Sequence, residues 1–204
     1  WFTWKKKDKQ LDSNQEKKIS SYKSLLVSWN HTHNLVSKNQ ATNLEEHISD
    51  SLSISPFLGE NVIDLGSGGG LPGIPLAISN PDKKFFLVES NTKKSAFLLN
   101  VSTKLQLSNV TVHNQRIEDI SADLFPQNLD IVCRAVGTAE SIIGLTKHLF
   151  QNRNTSLRLM KTQDQFETES LPPQYIVKKI DKFPSKAKDK TRILVTIEAV
   201  HKNG

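Results

Sequence analysis

Five of the nine glycines in this 204-residue chain fall within eight residues, from Gly66 to Gly73. The apolar pair Val62-Ile63 precedes them, and a run typical of a helix start, residues 74–78, follows. A strand, a glycine-rich turn and a helix in that order are typical of a nucleotide-cofactor site at the carboxyl end of a parallel strand. Glycine is needed there because a side chain would keep the backbone away from the ligand, and because some turn positions require positive φ. The segment therefore predicts an α/β fold with a bound cofactor.

Strand-like and helix-like segments alternate along the chain after Asn61. We predict strands over 61–65, 84–89, 110–115, 129–134 and 156–161, and helices over 74–80, 92–106 and 138–149. Because apolar strands alternate with helices, we expect a parallel sheet with both faces covered. The chain ends on two strand-like segments, 174–181 and 191–199, with no helix between them. This combination predicts the Rossmann-like class I methyltransferase sheet, in which parallel strands are followed by a terminal antiparallel hairpin.

Two segments of helical periodicity precede this alternating region. Apolar residues recur at helical spacing within 13–30 and within 44–55, and Pro56 ends the second segment. At 204 residues the chain has room for one α/β domain and a small appendage. We therefore divide it into an N-terminal helical cap, residues 1–58, and a Rossmann-like domain, residues 59–204.

The apolar runs and the cysteine content of the sequence indicate in which cellular compartment the protein is expected. No apolar run approaches the roughly 20 residues of a membrane span, and no apolar leader is visible at the start of the sequence. The single cysteine, Cys133, excludes internal disulfides and agrees with a reducing compartment. We therefore expect a cytoplasmic protein without a membrane partner, and we take it to be a monomer.

Basic residues exceed acidic ones and concentrate toward the two ends of the sequence. The formal net charge is +6, from 27 Lys and Arg against 21 Asp and Glu. One cluster comprises Lys5, Lys6, Lys7, Lys9, Lys17, Lys18 and Lys23, and the other comprises Lys178, Lys179, Lys182, Lys186, Lys188, Lys190 and Arg192. Either cluster alone is also typical of a solvated face, but two clusters flanking one cofactor site favour an RNA partner.

The glycine-rich segment fits two cofactor patterns. Gly68-x-Gly70-x-x-Gly73 matches the dinucleotide fingerprint, in which a pyrophosphate rests on the helix N-terminus. Asp64-x-Gly66-x-Gly68-x-Gly70 instead places a carboxylate at the end of the strand. That charge suits the sulfonium and ammonium groups of S-adenosylmethionine and would repel a pyrophosphate. We therefore predict S-adenosylmethionine as the cofactor, and an NAD-linked oxidoreductase is the alternative.

No residue pattern points to a metal site or to a nucleophile paired with a base. His31 and His33 are two residues apart on a predicted loop, and Cys133 stands alone in a predicted strand. His47 either faces the cofactor or bonds to a carbonyl in the core. Asp50, three residues later, lies on the same helical face and could orient the imidazole. We predict that no metal is bound.

The extended glycine segment resembles a family signature. Asp64-Leu65-Gly66-Ser67-Gly68-Gly69-Gly70-Leu71-Pro72-Gly73-Ile74-Pro75 is similar to that of the glucose-inhibited division protein B family (RsmG), bacterial methyltransferases acting on guanine N7 of 16S ribosomal RNA. Further matches follow in the family's order: Trp29-Asn30 with Asn34-Leu35, His47 to Leu52, Glu89-Ser90 with Lys93-Lys94 and Phe97-Leu98, Arg116 to Asp119, and Cys133-Arg134-Ala135. The chain departs from the family at Lys161-Thr162, where Lys-Gly is usual, and within 38–42, where Lys38 is the basic residue present.

The resemblance implies an activity and a set of contacts. The activity is S-adenosylmethionine-dependent methylation of guanine N7 in the 16S ribosomal RNA of the small ribosomal subunit, with a non-catalytic RNA-binding protein as the alternative. The implied cofactor contacts are Gly66, Gly68, Gly70 and Leu71 at the methionine end, Glu89 and Ser90 at the ribose, and Ile117 and Glu118 at the adenine, which Asp64 joins by charge. Glu89 as a helix-capping surface acid is the simpler alternative for that residue.

Arg134 is the candidate catalytic residue. The resemblance implies that it lines the site where cofactor and substrate meet, at the end of the fourth strand. The alternative is a structural salt bridge with Asp64 or Glu118.

Overall fold

The computed structural model describes residues 10–134, 137–151, 153–183 and 192–200. They contain a seven-stranded sheet of β1 (Asn61–Leu65), β2 (Lys84–Val88), β3 (Val110–His113), β4 (Asn128–Arg134), β5 (Asn154–Thr162), β6 (Tyr175–Phe183) and β7 (Arg192–Ala199). The strand order is β3-β2-β1-β4-β5-β7-β6. Neighbours from β3 to β5 pair in parallel, whereas β7 is antiparallel to both β5 and β6. The predicted parallel sheet with a terminal antiparallel hairpin is confirmed.

Seven α-helices precede or flank the sheet within the described ranges. They are α1 (Ser13–His33), α2 (Lys38–Thr42), α3 (Leu44–Ser53), α4 (Gly73–Ser79), α5 (Thr92–Lys104), α6 (Ala139–Thr146) and α7 (Gln163–Glu167). The connection from β3 to β4 carries two short 3-10 turns in place of a crossover helix. Of these helices, none is both long enough and apolar enough to cross a membrane.

Side chains that alternate along the strands form two apolar cores, one on each face of the sheet. On one face, Val62 and Leu87 pack with Tyr22 and Leu26 of α1 and with residues of α3, α4 and α5. On the other face, Ile63 and its strand neighbours pack with α6. The helical cap and the sheet therefore share one core, and the boundary at residue 58 stays a prediction.

Most predicted elements agree with the observed ones to within a few residues, and the differences lie at their ends. Helix α1 continues to His33 because Asn34, with φ 49° and ψ 51°, adopts the left-handed conformation that ends it. His31 and His33 therefore lie in the last helical turn, so the prediction that they lie on a loop is wrong. The predicted helix over 138–149 is α-helical only as α6 and continues as a 3-10 turn from Lys147 to Phe150.

Part of each predicted lysine cluster lies outside the described residues. These positions are Lys5, Lys6, Lys7 and Lys9 in the first cluster and Lys186, Lys188 and Lys190 in the second. Ala135 of the family-like segment after the fourth strand also lies outside them.

Candidate functional site

The glycine-rich turn, residues 66–71, follows β1, and every second residue from Gly66 to Gly70 is a glycine with a left-handed backbone conformation. Gly66, Gly68 and Gly70 have φ values of 69°, 54° and 92°. Residues with a side chain rarely adopt such φ, so the backbone itself requires glycine at these three positions. They are the glycines of the Asp64-x-Gly66-x-Gly68-x-Gly70 pattern. The turn therefore follows the pattern that the charge of Asp64 favours.

Asp64 is the penultimate residue of β1, and its carboxyl group is buried inside the fold. Its Oδ2 atom accepts a hydrogen bond from the backbone N–H of Gly73 at 3.0 Å, and Oδ1 has no partner within the described part of the chain. Burial raises the pKa of Asp64 to about 7, against the opposing effect of the Gly73 N–H. A buried carboxylate oxygen without a donor costs free energy, so a cationic ligand group would be a fitting partner for it.

Glu89 turns back from the end of β2 toward the glycine-rich turn. It is buried, and its two oxygens accept hydrogen bonds from the N–H groups of Gly68 at 2.9 Å and Asn91 at 2.8 Å. Asn91 rather than Glu89 caps α5, since its side chain accepts from the N–H groups of Lys93 and Lys94. The alternative of a helix-capping surface acid is therefore wrong. A carboxylate accepts up to about four hydrogen bonds, so lone pairs of Glu89 remain for a hydroxyl group of a ligand.

An open cleft lies between the glycine-rich turn and the helical cap. It encloses about 810 Å³, its mouth included. Its lining residues are Leu35, Val36 and Gln40 from the cap, Gly66, Ser67, Gly68, Gly69 and Leu71 from the turn, and Glu89, Lys94 and Arg134 from neighbouring elements. The cleft thus brings together five of the predicted site residues and presents both acidic and basic groups.

The other five predicted site residues lie outside this lining. Asp64, in β1, and Gly70, in the glycine-rich turn, are buried inside the fold. Ser90 lies in the loop after β2, and Ile117 and Glu118 lie in a 3-10 turn after β3. Because β1, β2 and β3 are parallel, these loops leave the same edge of the sheet as the glycine-rich turn. The predicted residues therefore share one edge, although not one cleft.

Arg134 ends β4 and connects the sheet with the cap. Its Nη1 atom donates to the carbonyl oxygen of His47 at 3.4 Å. Ion pairs between described residues do not join Arg134 to Asp64 or to Glu118, and Glu118 pairs with Arg116 instead, at 3.8 Å. Burial lowers the pKa of Arg134. The salt-bridge alternative is therefore wrong, and the guanidinium lines the cleft.

His47 is buried in α3, and neither ring nitrogen has a hydrogen-bond partner among the described residues. Burial, together with the positive charges of Arg134 and Arg192, lowers the pKa of His47 to about 4. The imidazole is therefore neutral at pH 7. It bonds neither to a core carbonyl nor to Asp50, so both predicted hydrogen-bonding roles for this ring are wrong. The ring lies outside the lining of this cleft, and the alternative that it faces the cofactor stays a prediction.

The ligand atoms of Glu46, His47 and Asp50 lie within 4.8 Å of one another, a spacing that a metal ion could use. Arg192 already stands among them, with Nε 3.4 Å from Oδ2 of Asp50 and Nη2 3.7 Å from Oε1 of Glu46. Because the guanidinium already offsets the carboxylates, a second cation would be repelled. The expectation that no metal is bound stays a prediction.

The cap contributes site residues that the sequence does not predict. Tyr22 of α1 donates its hydroxyl hydrogen bond to the carbonyl oxygen of Gly69 at 2.7 Å, in a buried position. A Cβ on Gly69 would stand 2.6 Å from Cγ1 of Val36, so only glycine allows this approach. The one signal in the sequence is the polar hydroxyl of Tyr22 on an apolar helix face.

Lys161 of β5 lies outside the cleft lining. It forms an ion pair with Glu169 and donates to the carbonyl oxygen of Gly137 at 3.1 Å. Glu169 also accepts the N–H of Ala139 at 2.7 Å, at the start of α6. Lys161 therefore holds Gly137 directly and the start of α6 through Glu169, which explains the residue without a contact to a ligand.

The hydrogen bonds of the glycine-rich turn also discriminate between the two cofactors. The N–H of Gly68 donates to Glu89, and the N–H of Gly73 donates to Asp64. A pyrophosphate needs free N–H groups and would lie beside both carboxylates. The amino-acid end of S-adenosylmethionine carries an ammonium and a carboxylate. The buried carboxyl group of Asp64, behind the turn, suits the ammonium by its charge, and Arg134 on the cleft suits the carboxylate. The residues present therefore fit S-adenosylmethionine better than NAD.

Comparison with protein families gives a match over most of the chain. The model of the family described as rRNA small subunit methyltransferase G (GidB) matches residues 15–195. Ribosomal RNA small subunit methyltransferase G of Nitrosomonas eutropha is 36% identical over 170 residues, which cover 80% of this chain and 78% of the relative. The protein of the same name from Nitrosococcus oceani is 37% identical over 174 residues, which cover 83% of this chain and 79% of the relative.

Two solved structures share the fold. A SAM dependent methyltransferase from Aquifex aeolicus has a TM-score of 0.53 at 14% identity, covering 76% of this chain and 92% of its own. Magnesium protoporphyrin IX methyltransferase (ChlM) from Synechocystis PCC 6803, with bound SAM, has a TM-score of 0.55 at 12% identity, covering 87% of this chain and 97% of its own. At these identities the likeness concerns the fold alone.

Proposed function

This chain belongs to the rRNA small subunit methyltransferase G (GidB) family, and from that premise we propose that it transfers a methyl group from S-adenosylmethionine to N7 of a guanine in 16S ribosomal RNA. The observation that carries the proposal is the turn after β1, where three left-handed glycines stand beside the buried carboxyl group of Asp64. The donor follows from this turn and its charge. The acceptor, small-subunit RNA, follows from the names of the relatives.

The site residues differ in the part of the cofactor that each would hold. The unpartnered oxygen of Asp64 and the glycine-rich turn suit the methionine end, which carries an ammonium group. Glu89, with lone pairs left over, suits the ribose hydroxyls together with Ser90. Ile117 and Glu118, further along the same edge, suit the adenine. The cofactor would thus extend along the carboxyl ends of β1, β2 and β3.

The proposed reaction requires no general base from the chain. When bound, S-adenosylmethionine supplies a methyl group on a positively charged sulfur. Guanine N7 carries a lone pair and no proton, so the protein has no proton to remove. The chain must instead hold base and cofactor in line and keep water out. The described residues agree, since His47 is neutral and buried outside the cleft lining and Cys133 is buried in β4.

Arg134 is the residue that we place between cofactor and base. A guanidinium donates hydrogen bonds and accepts none, so it suits the carboxylate of the cofactor or the O6 atom of guanine. A contact with O6 alone leaves N7 open for methylation. Its position at the end of β4, on the cleft, supports either contact.

Lysines at the mouth of the cleft support an RNA partner. Lys94 lines the cleft, Lys93 is exposed beside it, and Lys38 is exposed on α2. Such lysines contact phosphates and add affinity rather than base specificity. We propose that a monomer binds the RNA of the small ribosomal subunit across this mouth, in the cytoplasm.

Transfer of a tritiated methyl group to naked 16S ribosomal RNA and to small ribosomal subunits tests the proposal. We expect labelled RNA that is cut by cleavage chemistry selective for 7-methylguanine. Gly68→Val, which puts a branched side chain where φ is 54°, is the inactive control. Label on another base or another atom would overturn the acceptor, and no label with either substrate would overturn the activity.

A further inference from the structure

The cap wall, residues 34–37, faces the glycine-rich turn across the cleft. Leu35 and Val36 line the cleft from this side, and Leu35 is only 3% exposed. Val36 lies so close to the glycine-rich turn that a Cβ on Gly69 would stand 2.6 Å from its Cγ1 atom. The position of the cap wall therefore sets the width of the cleft.

Asn30, in the last turn of α1, fixes the cap wall by two hydrogen bonds. Its Oδ1 atom accepts the N–H of Val36 at 2.9 Å, and its backbone carbonyl oxygen accepts the N–H of Asn34 at 3.2 Å. Asn34 itself is left-handed, with φ 49°. One residue thus fixes the chain reversal that carries Val36 back to the cleft.

The hydrogen bond from the Val36 N–H to Asn30 connects the cap wall with α1, and further hydrogen bonds anchor the two parts that it joins. At the far end, Ser37 and Gln40 bond reciprocally as the capping box of α2. Helix α1 is in turn joined to the glycine-rich turn by the hydrogen bond from Tyr22 to Gly69 at 2.7 Å. Helix α1 therefore holds both sides of the cleft. It holds the glycine-rich turn through Tyr22 and the cap wall through Asn30.

We propose that Asn30 is a positioning residue for S-adenosylmethionine, which sets the distance between the cap wall and the glycine-rich turn through the N–H of Val36. This inference rests on the proposed function, because it takes the cleft as the cofactor site. Asn30 does not line the cleft, so it touches no reacting atom. Without its side-chain acceptor, the cap wall must be ordered each time the cofactor binds, and that ordering weakens affinity.

The test compares Asn30→Ala with Asn30→Asp by isothermal titration calorimetry. Alanine removes the acceptor, whereas aspartate keeps an oxygen for the N–H of Val36. We expect the dissociation constant for S-adenosylmethionine to rise about tenfold in Asn30→Ala and to stay within about threefold of wild type in Asn30→Asp. The KM for the cofactor should rise in parallel, while kcat at saturating cofactor is unchanged.

Asn61→Ala is the matched control, because it removes the bond from Asn61 Nδ2 to the carbonyl oxygen of Asn128, 3.1 Å long, at the opposite edge of the sheet. Unchanged affinity in Asn30→Ala would overturn the inference, as would an equal loss in Asn30→Asp or in Asn61→Ala. Wild-type protein that binds no S-adenosylmethionine would instead overturn the proposed function itself.

Amide hydrogen exchange gives a second measurement that needs no variant. If Asn30→Ala does not fold, the Val36 amide of the wild-type protein is followed with and without S-adenosylmethionine. We expect the cofactor to slow its exchange at least about threefold, because exchange requires the bond from the Val36 N–H to Asn30 to open and the bound cofactor disfavours that opening. Equal exchange in both states would overturn the inference.

Discussion

The backbone N–H of Gly73 donates a hydrogen bond to Oδ2 of Asp64 at 3.0 Å, across the start of α4. A Cβ on residue 73 would stand 2.5 Å from that oxygen and 2.4 Å from Cδ2 of Leu87. Glycine is therefore required here by close packing rather than by φ. Gly73 matches the last glycine of the dinucleotide fingerprint, and it keeps the packing role of that glycine while its N–H serves a carboxyl group.

Gly73→Ala should lower the free energy of unfolding by about 1–3 kcal/mol, because the added methyl group forces Leu87 and Asp64 to move. It should also weaken S-adenosylmethionine binding, since Asp64 is displaced. Urea denaturation and calorimetry measure the two effects. Gly144→Ala in α6 is the control, because a Cβ there meets nothing within 4 Å, and it should be neutral or stabilising by up to about 1 kcal/mol. Equal losses in the two variants would contradict the packing argument.

Tyr22→Phe should lower the free energy of unfolding by about 1–3 kcal/mol, because it leaves the buried carbonyl oxygen of Gly69 without its donor. Cofactor affinity should fall with it, since the bond fixes the glycine-rich turn. Tyr175→Phe removes the hydroxyl of a partly exposed tyrosine at the start of β6 and should change stability by less than about 0.5 kcal/mol. A Tyr22→Phe protein with wild-type stability and affinity would show that the bond contributes nothing.

Local sequence predicts the sheet and the cofactor pattern because both depend on neighbouring residues. Val62 and Ile63 are buried on opposite faces of the sheet, as an apolar strand covered on both sides requires. The charge of Asp64 favours the Asp64-x-Gly66-x-Gly68-x-Gly70 pattern, and all three of its glycines have positive φ. The φ values of a tight turn depend on neighbouring residues. Both predictions therefore needed no knowledge of distant contacts.

The remainder of the site depends on residues that are distant in sequence. Gly69 is required by Val36 of the cap, and the unpartnered ring of His47 lies in α3, which packs against α4. The short helix α2 leaves a sequence signal in the capping box of Ser37 and Gln40, but five residues show no apolar periodicity. These features of the site depend on tertiary contacts, so local sequence patterns do not predict them.

Lys161→Met should lower the free energy of unfolding by about 3–5 kcal/mol, because it leaves the carboxylate of Glu169 buried and unpaired. The side chains are 12% and 8% exposed, so water replaces the partner only in part. Combining the change with Glu169→Gln should recover most of the loss, as denaturant unfolding of the single and double variants will measure. An equally unstable double variant would contradict the ion-pair explanation. The dissociation constant for S-adenosylmethionine should stay unchanged, because Lys161 lies outside the cleft lining.

Asp64 should make cofactor binding depend on pH. Burial raises the pKa of Asp64 from 3.8 to about 7, so in the free protein the group is partly protonated near neutrality. A cationic ligand group stabilises the carboxylate and lowers that pKa, so binding releases a proton. Affinity should therefore level off above pH 7 and fall by up to about tenfold per pH unit below it. Calorimetry in buffers of different ionisation enthalpy measures the released proton.

The stability of the free protein should change with pH in the opposite direction. Because the folded-state pKa of Asp64 is raised, its contribution to stability is full below pH 3.8 and is lost as pH rises through about 7. Asp64→Asn separates the two effects, since asparagine keeps an acceptor for the Gly73 N–H but does not titrate. It should bind S-adenosylmethionine more weakly, with an affinity that no longer changes between about pH 6 and pH 8. The same pH dependence in Asp64→Asn would assign the released proton to another group.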